Sequence, residues 1–211
     1  MSVAVRSGEL GEHPTLPPGE GPFRIKGTGY LGHMRWVEQH YPGGRQAFLA
    51  AVSPSIRAFL DQPFLAMSLF DIMPLICAGH TCARVCKTTF FQFIANRSGH
   101  QAQQDLTTLH RALLKLASPR MVASRVPMLM SQYFDFGETA VLESDAKSVR
   151  FELSSIPVMY AEWLHAVYDG FGRTLVEATG GVSPRLSVER VPLGNVRSFP
   201  ACKLRGTMSW Q

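Results

Sequence analysis

The stretch VRFELSSIPVMYAEWLHAVYDGFGRTLVEATGG, residues 149–181, decides the fold of this 211-residue chain. From Val149 to Leu153 apolar and polar side chains alternate, which is the pattern of a half-buried strand. After Pro157 apolar and aromatic side chains recur every three or four residues, which predicts an amphipathic helix with one face on a core. The pair Gly180-Gly181 predicts the end of that helix, because glycine adopts the left-handed conformation of a helix C-terminus at low cost. The sequence therefore predicts a strand followed directly by a buried helix.

Strand patterns lie on both sides of this unit. Residues 138–143 and 148–153 both have the composition of strands, and the polar residues 144–147 between them predict a hairpin. Beyond the helix, residues 186–191 and 202–210 again show strand-like spacing. Because these segments are neighbours along the chain, they predict a small antiparallel sheet.

Helices are predicted throughout the first two-thirds of the chain. Ser53-Pro54 and Ser118-Pro119 each place a serine that can cap a helix before a proline that fits its first turn, which predicts a helix start at both positions. Residues 101–117 have the clearest amphipathic pattern, and Asn96–Gly99 predicts a turn before them. The face predicted for the first helix consists of Leu31, Met34, Trp36 and Val37.

Runs of helices followed by local hairpins predict an α+β fold, with a helical layer packed on a small twisted antiparallel sheet. Residues 1–22 are dense in glycine and proline and are predicted to form a flexible N-terminal arm. Residues 23–211 are predicted to form a single α+β domain, a length that buries a substantial core without cross-links.

Composition narrows the class of protein. The net charge is +5, but the lysines and arginines are scattered rather than clustered, so no nucleic-acid partner is expected. No apolar run reaches the roughly 18 residues of a membrane span, and no signal peptide is recognisable, so the chain is predicted to be cytoplasmic. Cytoplasmic thiols are normally reduced, so the cysteines are not expected to form disulfides.

The densest group of reactive side chains comprises Cys77, His80, Cys82 and Cys86, which lie within ten residues of one another. Thiols and imidazoles are ligands that zinc prefers, although the tight Cys-x-x-Cys knuckle of many zinc sites is missing. Small buried cysteines in a core, a metal or haem ligand set, and a redox-active thiol all remain open as interpretations.

Motifs of known catalytic machinery are not found. No His-x-x-x-His or Gly-x-Ser-x-Gly spacing occurs. The sequence Gly27-Thr28-Gly29-Tyr30-Leu31-Gly32 matches a dinucleotide-binding pattern in its glycines, but it lacks both a long preceding strand and an acid about 20 residues later. We therefore predict no catalytic residues and a protein that is not an enzyme.

Several segments carry a resemblance to known families. Residues 113–119, the segment Tyr133–Gly137, the helix residues Trp163–Gly172 and the closing strand up to Trp210 resemble a myxobacterial paralogous family of unknown function. The likeness covers roughly residues 23–211. More distantly, the order of hairpin, helix and two strands is similar to the 4-vinyl reductase domain, whose superfamily includes the transport-particle (TRAPP) subunits and the haem nitric-oxide-binding domain.

The resemblance implies a helical layer on a twisted antiparallel sheet, frequent dimerisation, and an internal cavity for a hydrophobic or haem-like ligand. The haem sensors of that superfamily carry a Tyr-x-Ser-x-Arg motif, which does not occur in this chain. The resemblance therefore does not extend to haem binding here, and haem and zinc remain unassigned as cofactors.

Our hypothesis is a non-enzymatic binding or sensory module for signalling, which holds a small hydrophobic ligand between the helices and the sheet. One alternative is a structural subunit that pairs with a second copy or another protein chain, as the TRAPP subunits do. Another is a haem- or metal-binding protein, with Cys77, His80, Cys82 and Cys86 as metal candidates. The predicted ligand-binding residues are Cys77, His80, Cys82, Phe90, Trp163 and His165.

Overall fold

The computed structural model of the chain describes residues 16–107 and 117–211, with side chains described up to residue 104 in the first range. Helices occupy most of the first range, and a four-stranded sheet occupies most of the second. The elements are β1 Arg24–Lys26, α1 Gly27–His40, α2 Gly44–Ala51, α3 Pro54–Leu60, β2 Leu69–Asp71, α4 Met73–Val85, α5 Phe90–Thr107, α6 Pro119–Ser131, β3 Glu138–Ser144, β4 Ser148–Pro157, a 3-10 turn Val158–Tyr160, α7 Ala161–Ala178, β5 Arg185–Val196 and β6 Phe199–Ser209.

The sheet confirms the predicted hairpins. Its strand order is β3-β4-β6-β5, and every neighbouring pair is antiparallel. Arg197 and Ser198 form the tip of the β5–β6 hairpin, both with positive φ, which suits the right-handed twist of the strands that they join. The α+β fold class is therefore confirmed.

Helix α7 is the predicted tryptophan helix, and it contacts both α5 and the sheet. Trp163 and Leu164 are buried on it, and Gly180 ends it with positive φ. Both Ser-Pro starts are also confirmed, since Ser53 Oγ accepts from Ile56 N and Ser118 Oγ accepts from Met121 N.

The predicted turn at Asn96–Gly99 is wrong, because α5 runs through these residues without a break. The cause is the contact between α5 and α7, in which two glycines let the helix backbones approach closely. A Cβ on Gly170 would lie 2.6 Å from the Ala95 carbonyl carbon, and one on Gly99 would lie 3.4 Å from Gly170 O. This tertiary contact overrides the local tendency to turn. The remainder of the predicted helix, residues 108–116, lies outside the described residues.

The buried face of α1 also differs from the prediction. Met34 and Val37 are buried as expected, but Leu31 is 39% exposed. The third and fourth large members of the buried face are Tyr30 and His33. The apolar pattern alone assigned the face incorrectly because it gave no weight to the histidine.

Asp71 fixes the chain around residues 19–21. Its Oδ2 accepts hydrogen bonds from Gly19 N and Gly21 N, and its Oδ1 accepts from Met73 N, each at 3.0 Å. Tyr30 also donates its hydroxyl hydrogen to Asp71 O. The C-terminal end of the predicted arm is thus attached to the domain, while residues 1–15 lie outside the described residues.

Within the described ranges, no helix combines the length and the hydropathy that crossing a bilayer requires.

Candidate functional site

The sequence predicts a ligand cavity between the helices and the sheet, and Tyr168 lines two small cavities in this region. One cavity lies beside β3 at the end of α6, and the other lies between α6, α7 and β6. Each has a volume of about 10 Å³. A single buried water needs roughly 10–15 Å³ by this kind of measure, so neither cavity holds more than about one water.

None of the six predicted binding residues lines either of these two cavities. His80 stacks on Phe90 with their ring centroids 3.7 Å apart. His165 contacts Phe91, whereas Trp163 contacts Phe134. Cys77 and Cys82 are on α4, and only Cys82 belongs to the polar cluster described below.

Across the described residues, no three His, Cys, Asp or Glu side chains are close enough together to hold a metal ion. Cys77 and Cys86 are half-buried and Cys82 is fully buried. The four metal candidates therefore do not form a ready-made metal centre in this arrangement.

The helical layer instead gathers three polar side chains that are far apart in sequence. His33 comes from α1, Cys82 from α4 and Arg97 from α5. His33 Nε2 and Cys82 Sγ are 3.9 Å apart, a weak hydrogen bond that links α1 to α4. Relative exposures of 1%, 0% and 7% put all three inside the protein. We call them the helical-layer cluster.

Aromatic rings flank the His33 member of the cluster. Phe48 of α2 and Phe93 of α5 meet the imidazole of His33 edge-on, with centroid distances of 5.7 and 6.3 Å. Tyr41 packs edge-on against Phe48, and Trp36 against Phe93. The imidazole of His33 thus lies in apolar surroundings, where an unpaired polar atom is costly.

Burial determines the charge state of each member. It lowers the pKa of His33 to about 3, with the positive charge of Arg97 as a second cause. It raises the pKa of Cys82 to about 12 and lowers the pKa of Arg97 to about 10. At neutral pH the cluster therefore consists of a neutral imidazole, a neutral thiol and a charged guanidinium.

Arg97 lacks an ionic partner among the described residues. Its Nε is buried without a hydrogen-bond partner, and its Nη2 donates only to Ser98 Oγ, at 3.4 Å. The two buried carboxylates of the described residues are engaged elsewhere, Asp71 by backbone amides and Asp169 by Arg173. A buried, unpaired cation costs several kcal/mol, so it marks a place where a partner is missing.

Sequence reasoning missed two of the three cluster residues. His33 was open to detection, since Tyr30, His33 and Val37 follow helical spacing and so share a face. Arg97 gave no such signal, because an arginine beside asparagine, serine and glycine is typical of an exposed turn. Only the packing of α5 against α7 places it inside.

Acidification is expected to destabilise the protein through His33. The unfolded chain takes up a proton below the ordinary pKa of 6.5, whereas folded His33 does so only near 3, so stability that is present above 6.5 is lost as the pH falls. Between pH 7 and pH 5 the loss amounts to about 2 kcal/mol.

The variant His33→Gln keeps a polar side chain and removes this titration. Between pH 7 and pH 5, the free energy of unfolding of the variant should therefore fall by about 2 kcal/mol less than that of the wild type. Urea unfolding at both pH values measures the difference. Burial also lowers the pKa values of His80 and His165, and that background is common to both proteins. Equal losses in the two proteins would show that His33 is not held neutral.

Solved structures of H-NOX proteins have the same fold. The chain is similar to a mutant of the K. algicida H-NOX protein in its Fe(II) unliganded form, with a TM-score of 0.60, 10% identity, and 89% of this chain and 97% of that chain covered. It is similar to a T. tengcongensis H-NOX mutant with a TM-score of 0.57, 10% identity, and 89% and 98% covered. A structure described as probing haem distortion in the H-NOX family gives a TM-score of 0.57, 13% identity, and 89% and 95% covered.

At this identity the likeness establishes the fold. It supports the predicted helical layer on an antiparallel sheet, and it covers nearly the whole of each solved chain. No family model matches the sequence, and no curated protein matches it. The likeness to the myxobacterial family and to the 4-vinyl reductase domain therefore stays a prediction.

Proposed function

We propose that this chain is a non-enzymatic sensory module that binds a small ligand inside its helical layer, at His33, Cys82 and Arg97. The observation that carries the proposal is the buried guanidinium of Arg97, whose Nε has no partner. Natural interiors rarely leave a buried charge unpaired, and binding sites are a common reason for one. The apolar rings around the cluster supply the hydrophobic part of such a site.

The packing of α5 suggests how binding would be transmitted. On one side α5 packs extensively along α7 through Gly99 and Gly170, and on the other it meets α1 and α4 at fewer positions. A ligand at the cluster would therefore separate α1 and α4 from α5 at lower cost than it would separate α5 from α7. Since α7 also lies on the sheet, occupancy would favour one arrangement of helices over another and so change the outer surface of the protein.

Two of the solved neighbours name haem in their descriptions, and neither cavity described here has room for it. Ligands of drug size or larger occupy pockets of roughly 300–1,000 Å³, whereas the two cavities described here are each about 10 Å³. Cys82 and Phe48, which contact His33, are both 0% exposed. They leave the imidazole of His33 little free surface. The ligand of this proposal is accordingly smaller than a haem.

The predicted pairing with a second chain has one observation in its favour. Strand β3 forms an edge of the sheet, and its Val141 and Leu142 are 42% and 54% exposed. Met128 and Leu129 of α6 are exposed as well. Exposed apolar side chains beside an open strand edge are typical of protein contacts, so a dimer or scaffold role is the second candidate. The cytoplasmic location remains a prediction.

A thermal-shift panel tests the proposal on the full chain. It contains octanoate, 1-octanol, benzoate, indole and haemin, and it compares the wild type with the double variant His33→Phe, Arg97→Met. We expect at least one of the four small compounds to raise the melting temperature of the wild type by several degrees and that of the variant by much less, because ligands stabilise the state they bind.

No shift in the wild type with any of the four small compounds, or equal shifts in both proteins, would rule out the cluster as the binding site. A stable Soret band with haemin would reverse the conclusion about haem.

A further inference from the structure

We infer that the ligand of the helical-layer cluster is a small carboxylic acid with an apolar tail, whose carboxylate pairs with the guanidinium of Arg97. This inference rests on the proposed function and names the chemical class of its ligand.

The first step concerns the donors of Arg97. A guanidinium carries five N–H groups in a fixed fork, a shape that matches the two oxygens of a carboxylate. Here Nε has no partner and Nη2 has a long contact of 3.4 Å to Ser98 Oγ. The fork is therefore incompletely used, and its unused donor is the one that takes part in side-on, bidentate pairing with a carboxylate.

The second step concerns charge. His33 and Cys82 are hydrogen-bonded to each other, and the charge of Arg97 acts on both of them. Neither is charged at neutral pH, so neither offsets the positive charge of Arg97. Buried carboxylates of the described residues are bound elsewhere, as shown for Asp71 and Asp169. An anion from outside the chain would meet a buried positive charge that no carboxylate of the described residues offsets. It would also find in the imidazole of His33 a neutral group that can donate a further hydrogen bond.

The third step concerns the remainder of the ligand. Phe48 and Phe93 flank His33, and both are buried. A strongly hydrated inorganic anion would gain nothing from these rings and would lose its water. A carboxylate on an aliphatic or aromatic tail satisfies both the cation and the apolar walls.

The test is a titration of the full chain with octanoate and with 1-octanol, which share an alkyl chain and differ in charge. We expect the wild type to bind octanoate at least about tenfold more tightly than 1-octanol, because a hydrogen bond between two charged groups is stronger than one to a neutral hydroxyl. Arg97→Met should lose that preference and keep its binding of 1-octanol within about twofold.

Two further variants keep the test decisive. Arg84→Met removes an exposed positive charge from α4, and we expect it to keep the full preference for octanoate. Arg97→Lys retains a cation without the fork and should recover part of the preference, so a misfolded Arg97→Met would not obscure the result.

The outcomes separate this inference from the function on which it rests. If octanoate and 1-octanol bind equally tightly and His33→Phe abolishes the binding of both, the ligand is not a carboxylic acid, but the helical-layer cluster is still the binding site. If Arg97→Met retains the preference for octanoate, the pairing with Arg97 is wrong. If neither compound binds the wild type, both this inference and the proposed site fail.

Discussion

Gly170→Ala is expected to cost about 4 kcal/mol or more of the free energy of unfolding, or to prevent folding altogether. The added Cβ would lie 2.6 Å from the Ala95 carbonyl carbon and 2.9 Å from Ala95 Cα, which are backbone atoms that no rotamer change can move. Helices α5 and α7 would have to separate and open the core along their length, which is the most costly form of overpacking.

Gly172→Ala is the matched control, two residues later in the same helix. Its Cβ would lie 2.8 Å from Met208 Cε, the end of a flexible side chain, and 3.7 Å from Val126 Cγ1. Alanine favours helix by about 1 kcal/mol over glycine, which offsets the adjustment of Met208, so we expect a change within about 1 kcal/mol. Urea unfolding followed by far-UV circular dichroism measures both variants. Equal stability of the two would show that α5 and α7 are not in close contact at Gly170.

Asp71→Ala is expected to cost about 3–5 kcal/mol. The carboxylate is 2% exposed and accepts from three backbone amides, those of Gly19, Gly21 and Met73. A hydrogen bond to a charged acceptor is worth roughly 1.5–3 kcal/mol, and bonds that share one acceptor do not add in full, so the three together are expected to be worth less than three times that value. Because the amides of Gly19 and Gly21 belong to the N-terminal segment, that segment should also become a site of protease cleavage.

Asp61→Ala is the control for the loss of an aspartate. Asp61 is exposed at the C-terminal end of α3, where a negative charge is unfavourable, so we expect a change below about 0.5 kcal/mol. Denaturant unfolding and limited proteolysis would be run on both variants in parallel. If Asp71→Ala proved as stable and as protease-resistant as Asp61→Ala, the three amides would not depend on this carboxylate.

The sequence succeeded where structure follows from local chemistry. The alternation of apolar and polar side chains predicted strands β4 and β6. The recurrence of apolar side chains every three or four residues around Trp163 predicted helix α7. Ser53-Pro54 and Ser118-Pro119 fixed two helix starts, because the serine oxygen accepts from an amide only three residues away. Each of these signals acts within one or two turns of the chain, so a single sequence contains it in full.

The sequence misjudged features that depend on a distant segment. Asn96–Gly99 has the composition of a turn, yet α5 continues through it because Gly99 and Gly170 let two helices meet. Leu31 has an apolar side chain of the kind found in cores. It is nevertheless exposed, because Tyr30 and His33 occupy the buried face of α1. Between the helices and the sheet, Tyr168 lines two spaces that are each the size of about one water.

The sequence by itself thus determined the order of the C-terminal strands and α7, the antiparallel hairpins and the α+β class, because each depends on neighbours along the chain. Only the tertiary structure shows that His33, Cys82 and Arg97 come together in the helical-layer cluster. His33 and Cys82 are 49 positions apart, and Arg97 joins them only because three helices converge. Whether an arginine is buried without a counter-ion depends on everything packed around it, and no local pattern of residues encodes that.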